Sequence, residues 1–300
     1  FSKLQSSYRH SRTAWRNSHP EGEGKYTWKD GSWYEGSWKD GMKHGCGKCV
    51  WPSGASYQGE WKDGAMHGVG TLEAPNGARY QGGWQGDAKH GLGRQLYSSG
   101  DVYEGLWRRG RQEGPGRYIF AGGDEYDGEW LGGQFSGHGT FVWRSGERYD
   151  GLWKGGRQEG MGVLTLPDGS VYDAQWRKGR RHGWCLYRPG GGATDLQTAS
   201  SADTYSLMTS SIAHIARDSV GSASPVSGAG GPSPLSPPQP HGSGRDDGAG
   251  HAAGAGAFIR VYRKGRVTQE WAMARDDADA IMAALGRGRP DGAIGRLLRK

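Results

Sequence analysis

The 300-residue sequence is poor in cysteine and in continuous apolar segments. It contains three cysteines, and hydrophobic residues make up 34% of its composition. Three cysteines are too few for a disulfide-stapled scaffold and are typical of a reducing compartment. Because no apolar run approaches the roughly 20 residues that span a bilayer, any membrane contact is expected to be peripheral.

Motifs that bind phosphate or a nucleotide are also missing. The sequence has no Gly-x-x-x-x-Gly-Lys-Ser/Thr loop and no His-Arg-Asp or Asp-Phe-Gly phrase. Its 57 glycines include many Gly-x-Gly pairs, but none of these pairs opens a helix after a buried strand. We therefore expect a chain without catalytic residues, cofactor or metal.

What the sequence does have is a repeat of fixed period. A tyrosine recurs every 23 residues, at Tyr34, Tyr57, Tyr80, Tyr103, Tyr126, Tyr149 and Tyr172. A tryptophan follows each tyrosine at plus four, and a glycine follows at plus eleven, without exception. Other glycine positions lapse once each, at Asp87, Ala174 and Cys185. A fixed period of this size indicates an array of stacked supersecondary units.

Each unit is interpreted as a β-hairpin. Side chains alternate along a strand, so the tyrosine, the plus-two glycine and the plus-four tryptophan share one face. A glycine at plus seven, as in Lys39-Asp40-Gly41, supplies the positive φ of a tight turn. One hairpin is too small to be stable alone, so neighbours must stack. The predicted fold class is all-β, an elongated, solenoid-like twisted sheet of hairpins.

The repeats resemble the MORN repeat, the membrane occupation and recognition nexus. The segments Trp51–Ala55, Lys89–Arg94 and Gln112–Tyr118 are most similar to the amino-terminal region of plant-type phosphatidylinositol 4-phosphate 5-kinases. Similar arrays occur in junctophilins, radial-spoke head proteins and SET-domain methyltransferases. The resemblance implies a surface that binds lipid or protein.

The sequence predicts four regions. Residues 1–10 form an amino-terminal tail, and residues 11–189 form the array of one degenerate and seven 23-residue repeats, the last incomplete. Residues 190–257, rich in Gly, Ala, Ser and Pro, are expected to be a disordered linker. Residues 258–300 are expected to form a small α+β tail, a short hairpin and a helix, that docks on a partner absent from this chain.

Cysteine and histidine provide two weak candidates for a metal site. Cys46 and Cys49 are three residues apart on one strand, so their side chains are predicted to point to opposite faces. The plus-ten histidines occur at most once per repeat, at His44, His67, His90 and His182. Neither pattern favours a shared metal ion.

The charge of the hairpin turns is the repeat feature that the fold does not require. Turns that carry Lys and Asp in the early repeats become purely basic later, and the candidate lipid-binding residues are Arg108, Arg109, Arg111, Lys154, Arg157, Arg177, Lys178, Arg180 and Arg181. Equivalent turns stack along one edge of an array, which predicts a basic ridge outside the core. A charged rim that only prevents edge aggregation is the alternative interpretation.

A net charge of +7 favours an acidic partner. Anionic phospholipid is the preferred partner, and a protein partner is also expected. Nucleic acid is disfavoured, because the rings are committed to packing and Asp127, Asp150 and Asp173 lie on the same strands. The sequence predicts a non-catalytic cytoplasmic scaffold, peripheral at a membrane. A regulatory fragment of the lipid kinase and a structural component of a cilium or the cytoskeleton are the alternatives.

Overall fold

The structure, a computed structural model, describes residues 14–16, 19–190, 237–238 and 256–273. The described residues form antiparallel β-strands and turns, and no helix occurs among them. This confirms the predicted all-β class of stacked hairpins. The predicted amino-terminal tail, the helix after residue 273 and nearly all of the predicted linker lie outside the described residues.

The strands belong to two compact units, whose boundary lies in β11 and at the first residue of β12. The strands of the first unit are β1 (Ala14–Arg16), β2 (His19–Thr27), β3 (Trp33–Lys39), β4 (Met42–Val50), β5 (Ser56–Lys62), β6 (Ala65–Glu73), β7 (Arg79–Gln85), β8 (Ala88–Leu96), β9 (Val102–Arg108) and β10 (Arg111–Ile119). After β11 (Glu125–Leu131), the strands of the second unit are β12 (Gln134–Val142), β13 (Arg148–Lys154), β14 (Arg157–Thr165), β15 (Val171–Arg177), β16 (Arg180–Arg188), β17 (Ala257–Arg263) and β18 (Arg266–Met273). Within each unit, every strand pairs with the next one along the chain.

Facing glycines run in a row across the strands of the first unit. Gly36 lies opposite Gly47, which lies opposite Gly59, and the same pairing recurs between Gly105 and Gly116. The repeat tyrosine lies across each such pair, so that a Cβ at Gly105 or Gly116 would come 2.5 Å from the Tyr103 hydroxyl oxygen. Glycine is required here because the ring occupies the space that any side chain would need.

A β-bulge at plus three gives the tyrosine hydroxyl its acceptor. In β3 the register shifts between Gly36 and Trp38, which leaves the carbonyl of Ser37 outside the ladder. The Tyr34 hydroxyl donates to that carbonyl at 3.0 Å, and the Tyr103 hydroxyl donates to the carbonyl of Leu106 at 2.8 Å. The tyrosine is thus fully buried with its polar end satisfied.

The tryptophan at plus four ties each repeat to the one before it. Trp61 Nε1 donates to the Gly47 carbonyl at 3.1 Å, and the plus-four tryptophans in the other repeats make the same bond. The Tyr34 ring meets Trp38 edge-on at 5.0 Å and Trp61 of the next repeat at 5.4 Å. The Tyr57, Tyr80, Tyr103 and Tyr149 rings are held between two indoles in the same way, which couples neighbouring hairpins.

The glycine row ends in larger residues at the carboxyl end of the second unit. Gly162 faces Ala174, Ala174 faces Cys185, and Cys185 faces Arg260 of β17. The two lapses at Ala174 and Cys185 are therefore cross-strand partners in one hairpin. With the glycine pair gone, Tyr172 instead stacks on Tyr187 at 4.6 Å between ring centroids.

The tail hairpin continues the array. The expectation that it docks on a partner absent from this chain is therefore wrong, because it pairs with the last repeat. β17 pairs with β16, with Gly183 opposite Tyr262 and Tyr187 opposite Phe258, the register that Gly45 and Cys49 have with the next repeat. On one face, Ile259 packs with Leu186 and Trp271. On the other face, Arg260 is 1% exposed, bonds Glu270 at 2.5 Å and lies over the Tyr187 ring.

Replacing Gly116 by alanine tests the contact between the tyrosine and the glycine pair. Because the added methyl group would collide with the Tyr103 ring, we expect a loss of about 1–3 kcal/mol in the free energy of unfolding. Gly122→Ala is the matched control, because a Cβ added there would have no neighbouring atom within 4 Å. Urea denaturation measures both, and equal stability of the two variants would contradict the account.

Candidate functional site: the basic hairpin turns

The hairpin turns at plus five to plus eight are two-residue loops with two consecutive left-handed residues. Asp40 and Gly41 have φ of 49° and 78°, and Lys178 and Gly179 have φ of 51° and 78°. These values are typical of type I′ turns, which match the twist of paired strands. The prediction that the plus-seven glycine supplies the positive φ of a tight turn is confirmed.

One repeat replaces that glycine by Asp87. The Asp87 backbone keeps a φ of 63°, and its carboxylate accepts the Met66 N–H at 2.8 Å. Short polar side chains tolerate this conformation because they can bond the local backbone. The lapse therefore preserves the turn.

Successive turns interlock along one edge of the second unit. The N–H of Gly156 donates to the Phe135 carbonyl at 3.0 Å, and the N–H of Gly179 donates to the Gln158 carbonyl at 3.0 Å. The tail repeats the pattern, since the N–H of Gly265 donates to the Arg181 carbonyl at 3.2 Å. Three turns, at residues 154–157, 177–180 and 263–266, are thus placed side by side.

These three turns form the basic ridge, which consists of eight cations and no acid: Lys154, Arg157, Arg177, Lys178, Arg180, Arg263, Lys264 and Arg266. All eight side chains are exposed. Glu159 lies nearby, but its carboxylate accepts the Lys178 backbone N–H at 2.8 Å and so fixes the turn. The ridge presents positive charge on a backbone held in place by hydrogen bonds.

The predicted site residues divide into three groups. Lys154, Arg157, Arg177, Lys178 and Arg180 lie exposed in the basic ridge. Arg108, Arg109 and Arg111 are exposed at the β9–β10 turn of the first unit, and Arg181 is buried.

Placing Arg181 outside the core was wrong. Its side chain is 4% exposed, and its guanidinium lies 4.2 Å from the Tyr172 ring centre and 4.6 Å from that of Tyr262. Arg181 directly follows the turn, on a strand residue whose side chain points to the aromatic face. The cation is therefore used to pack two rings together and is not available to a partner.

The sequence prediction missed Arg263, Lys264 and Arg266. The signal is the spacing of Phe258, Tyr262 and Gly265, which repeats that of the consensus tyrosine, tryptophan and turn glycine. Arg260 in place of the plus-two glycine hides this match. The third turn of the ridge therefore comes from a hairpin that lies far along the chain.

Left-handed backbone conformation makes the charges at plus six costly. Arg109, Lys178 and Lys264 have φ of 50°, 51° and 52°. Glycine occupies the same position in Gly132 and Gly155. A side chain other than glycine in this conformation costs about 1 kcal/mol or more, so these turns keep long cations where the fold favours glycine.

Two lysines at plus nine differ from those of the ridge. Lys43 Nζ lies 4.0 Å from the Trp61 ring centre, and Lys89 Nζ lies 4.8 Å from that of Trp107 and 2.5 Å from Gln95 Oε1. Burial lowers the pKa of Lys89 to about 8 and also lowers the pKa of Lys43. Both lysines are half-buried, and their ammonium groups lie over indole rings instead of at the tip of a turn.

The cysteine prediction is confirmed in its geometry. Cys46 is exposed, whereas Cys49 is buried on the aromatic face.

His44 Nδ1 lies 3.6 Å from an Asp63 carboxylate oxygen of the next turn. Within the part of the chain that the structure describes, no three His, Cys, Asp or Glu side chains are close enough to hold a metal ion.

The comparison with protein families identifies the repeat. The MORN repeat model matches eight consecutive segments, residues 14–33, 34–56, 57–79, 80–102, 103–125, 126–148, 149–171 and 172–189. The matched segments cover more than half of the chain, so it belongs to the MORN repeat family. A comparison with curated proteins returned no match.

Solved structures show a distant likeness in fold. The TCP10 domain of Danio rerio CPAP matches with a TM-score of 0.34 and 10% identity, over 57% of this chain and 80% of that chain. The SAS-4 (dCPAP) TCP domain of Drosophila melanogaster, solved in complex with a proline rich motif of Ana2 (dSTIL), matches with a TM-score of 0.32 and 12% identity, over 62% of this chain and 96% of that chain. At these scores, neither neighbour's partner is transferred to this chain.

The described strands and turns include no helix that is long and apolar enough to cross a bilayer.

The largely buried Lys89 predicts a difference in stability between the wild type and a Lys89 variant that depends on pH. The folded state releases the Lys89 proton near pH 8, whereas the unfolded chain keeps it until near 10.5. Between these values the unfolded state binds more protons at Lys89, so the contribution of Lys89 to the free energy of unfolding should increase as the pH rises from 8 towards 10. Buried tyrosines, whose pKa values are raised by burial, oppose this trend equally in the wild type and in Lys89→Met. The free energy of unfolding of the wild type minus that of Lys89→Met should therefore increase over this range.

Urea denaturation at a series of pH values measures this difference. Lys62→Met is the control, because Lys62 is exposed and its difference from the wild type should stay constant. A difference between the wild type and Lys89→Met that stays constant from pH 8 to 10 would contradict the assignment.

Proposed function

We propose that this MORN array is a non-catalytic scaffold that binds anionic phospholipid, in particular phosphoinositide head groups, through the basic ridge. The observation that carries the proposal is the placement of Lys178 and Lys264 in left-handed backbone at the tips of the turns. A purely structural turn would gain stability from glycine at these positions, as in Gly155. A residue other than glycine that keeps a strained left-handed backbone is expected where its side chain has a function.

The chemistry of the ridge suits a flat, negatively charged surface. Eight exposed cations on three adjacent turns can contact several phosphates at once. Each basic residue near an anionic membrane contributes about 1 kcal/mol. Arginines add planar donors that bind phosphate oxygens in pairs. The three arginines of the β9–β10 turn have the same character and are proposed as a further contact.

The resemblance to plant-type phosphatidylinositol 4-phosphate 5-kinases supports a phosphoinositide as the anion. In that setting the array would be the regulatory part of a lipid kinase and would hold it at its substrate membrane. The proposed location is therefore the cytoplasmic face of a membrane, as a peripheral protein. An acidic protein of a ciliary or cytoskeletal assembly is the competing partner, and the test below distinguishes it.

Replacing Lys178 and Lys264 together by glycine separates binding from folding. Each substitution removes one charge of the ridge and also relieves left-handed strain, so stability should rise by about 1 kcal/mol per site. Binding to vesicles of phosphatidylcholine with phosphatidylinositol bisphosphate should fall about 30-fold, because two charges near the surface are lost. A loss of binding in a more stable protein cannot come from misfolding.

Asp40→Gly with Asp63→Gly is the matched control, because it relieves the same strain without removing a cation. It should bind vesicles at least as well as the wild type, and wild-type binding should weaken as salt rises past about 0.15 M. Unchanged binding in Lys178→Gly with Lys264→Gly, or no vesicle binding by the wild type, would overturn the proposal. Recovery of an acidic protein through the ridge would then favour the scaffold alternative.

A further inference from the structure

The tail hairpin satisfies its bulge carbonyl in a different way from the repeats. In the repeats, the hydroxyl of the consensus tyrosine donates to the plus-three carbonyl, as Tyr149 does to Leu152 at 3.0 Å. Phe258 has the place of that tyrosine in β17, and it has no hydroxyl. The plus-three carbonyl of the tail, that of Val261, instead accepts the Thr268 hydroxyl at 3.0 Å. The tail therefore uses a threonine of β18 where the repeats use a buried tyrosine.

Thr268 lies in an accessible part of the second unit. Val261 lies opposite Gln269 and Tyr262 lies opposite Val267, which leaves Thr268 as the extra residue of a bulge. Val267, Thr268 and Gln269 are all exposed, whereas β17 is buried at Ala257–Arg260 and at Tyr262. Consecutive side chains of a strand point to opposite faces, so solvent reaches both faces of β18 at this point.

Thr268 also lies next to the third turn of the basic ridge. It follows Arg266 by two positions, which is about 7 Å along a strand. It is the one serine or threonine within three positions of any of the three ridge turns. The screening length at physiological ionic strength is about 8 Å, so a charge on Thr268 would act on the ridge. Glu270, the next acid in the sequence, is already paired with the buried Arg260.

The residues before Thr268 have the charge pattern of a substrate for an arginine-directed protein kinase. Arg263, Lys264 and Arg266 precede it by five, four and two positions. Kinases of this class select a serine or threonine that follows basic residues, because acidic groups line their peptide groove. The cations that form the third turn of the ridge would therefore direct such a kinase to Thr268.

We propose that Thr268 is a phosphorylation site and that its modification releases the ridge from an anionic membrane. This inference rests on the proposed function of the ridge. The kinase transfers the γ-phosphoryl group of MgATP to Thr268 Oγ1. The bond from Oγ1 to phosphorus forms, the bond from the γ-phosphorus to the bridging oxygen of ADP breaks, and the hydroxyl proton passes to the catalytic base of the kinase. The product carries a charge of about −1.5 to −2 beside Arg266.

Phosphorylation acts on the third turn of the ridge in two ways. The phosphate oxygens accept hydrogen bonds from the neighbouring guanidinium groups of Arg263 and Arg266, which neutralises part of the positive charge. The bridging oxygen no longer carries a proton, so the bond to the Val261 carbonyl is lost and the bulge of the tail hairpin is loosened. The first effect is electrostatic and the second is structural, and variants of Thr268 separate them.

Installing phosphothreonine at position 268 of the full chain during synthesis tests the effect on the ridge. Binding to vesicles of phosphatidylcholine with phosphatidylinositol bisphosphate should weaken about 10–30-fold, because each charge near the surface changes the affinity about fivefold. Phosphoserine at Ser145 is the matched control, since it adds the same charge to an exposed turn at the opposite edge of the same unit, about 23 Å away. It should bind like the unmodified chain. Equal binding by the phosphothreonine protein and the unmodified chain would overturn the proposal.

Two substitutions separate the added charge from the lost hydrogen bond. Thr268→Val removes the bond to Val261 without adding charge and should bind vesicles like the wild type. Thr268→Glu adds one charge and should bind about fivefold more weakly. Weakening in Thr268→Val as large as that in the phosphothreonine protein would contradict the electrostatic switch. Absence of vesicle binding by the unmodified chain is a different result, which would reject the proposed function of the ridge and the release from a membrane with it.

The modification itself is measured without any membrane. The full chain is incubated with MgATP and the catalytic subunit of cyclic-AMP-dependent protein kinase, which is arginine-directed, and the tryptic peptide that begins at Val267 is analysed by mass spectrometry. We expect one phosphoryl group on that peptide, at Thr268, and none in Thr268→Val. Arg263→Gln with Lys264→Gln should slow the reaction, because basic residues direct the kinase. A peptide without phosphate from the wild type would overturn the assignment of the site.

Discussion

A tyrosine ring lying across two facing glycines is the contact on which the other features of each hairpin depend. The ring fits only because glycine stands at plus two and at plus thirteen, as in Gly105 and Gly116 beneath Tyr103. Its hydroxyl satisfies the carbonyl that a β-bulge releases, and the indole of the next repeat packs on its edge. Since each part needs the others at a fixed spacing, a 23-residue period is the outcome.

The carboxyl end shows what happens when that contact is changed. Ala174 and Cys185 face each other where two glycines would stand, and Arg260 takes the next place in the row. Tyr172 stacks on Tyr187, and the guanidinium groups of Arg181 and Arg260 lie over these two rings. This altered end accepts a hairpin from beyond residue 256 and with it gains the third basic turn of the ridge.

Most of the fold was predictable because the contacts within a repeat are local. Spacing alone predicts the hairpins, the buried tyrosines and tryptophans, and the opposite faces of Cys46 and Cys49. Predicting the exposure of turn residues was also largely successful. It failed at Arg181, because a residue adjacent to a turn belongs either to the tip or to the aromatic face, and the strand register decides between them.

Contacts between distant parts of the chain were not predictable in the same way. The pairing of β17 with β16 spans an insertion, and Arg260 at a glycine position obscures the repeat in the tail. The hydrogen bond that the Trp143 indole donates to the Pro238 carbonyl joins residues with no common period. Such contacts depend on the three-dimensional path of the chain, for which a single sequence carries no local signal.

Amide hydrogen exchange of the full chain tests the account most directly, because it reports whether the tail hairpin is part of the array. If β17 extends the sheet, the amides of Ala257–Arg263 should exchange as slowly as those of Val171–Arg177 in β15, and the Gly265 amide should be protected by its bond to the Arg181 carbonyl. Exchange of Ala257–Arg263 at the rate of an unprotected chain, with β15 still protected, would contradict the pairing of the tail hairpin with β16 and remove the third turn from the basic ridge.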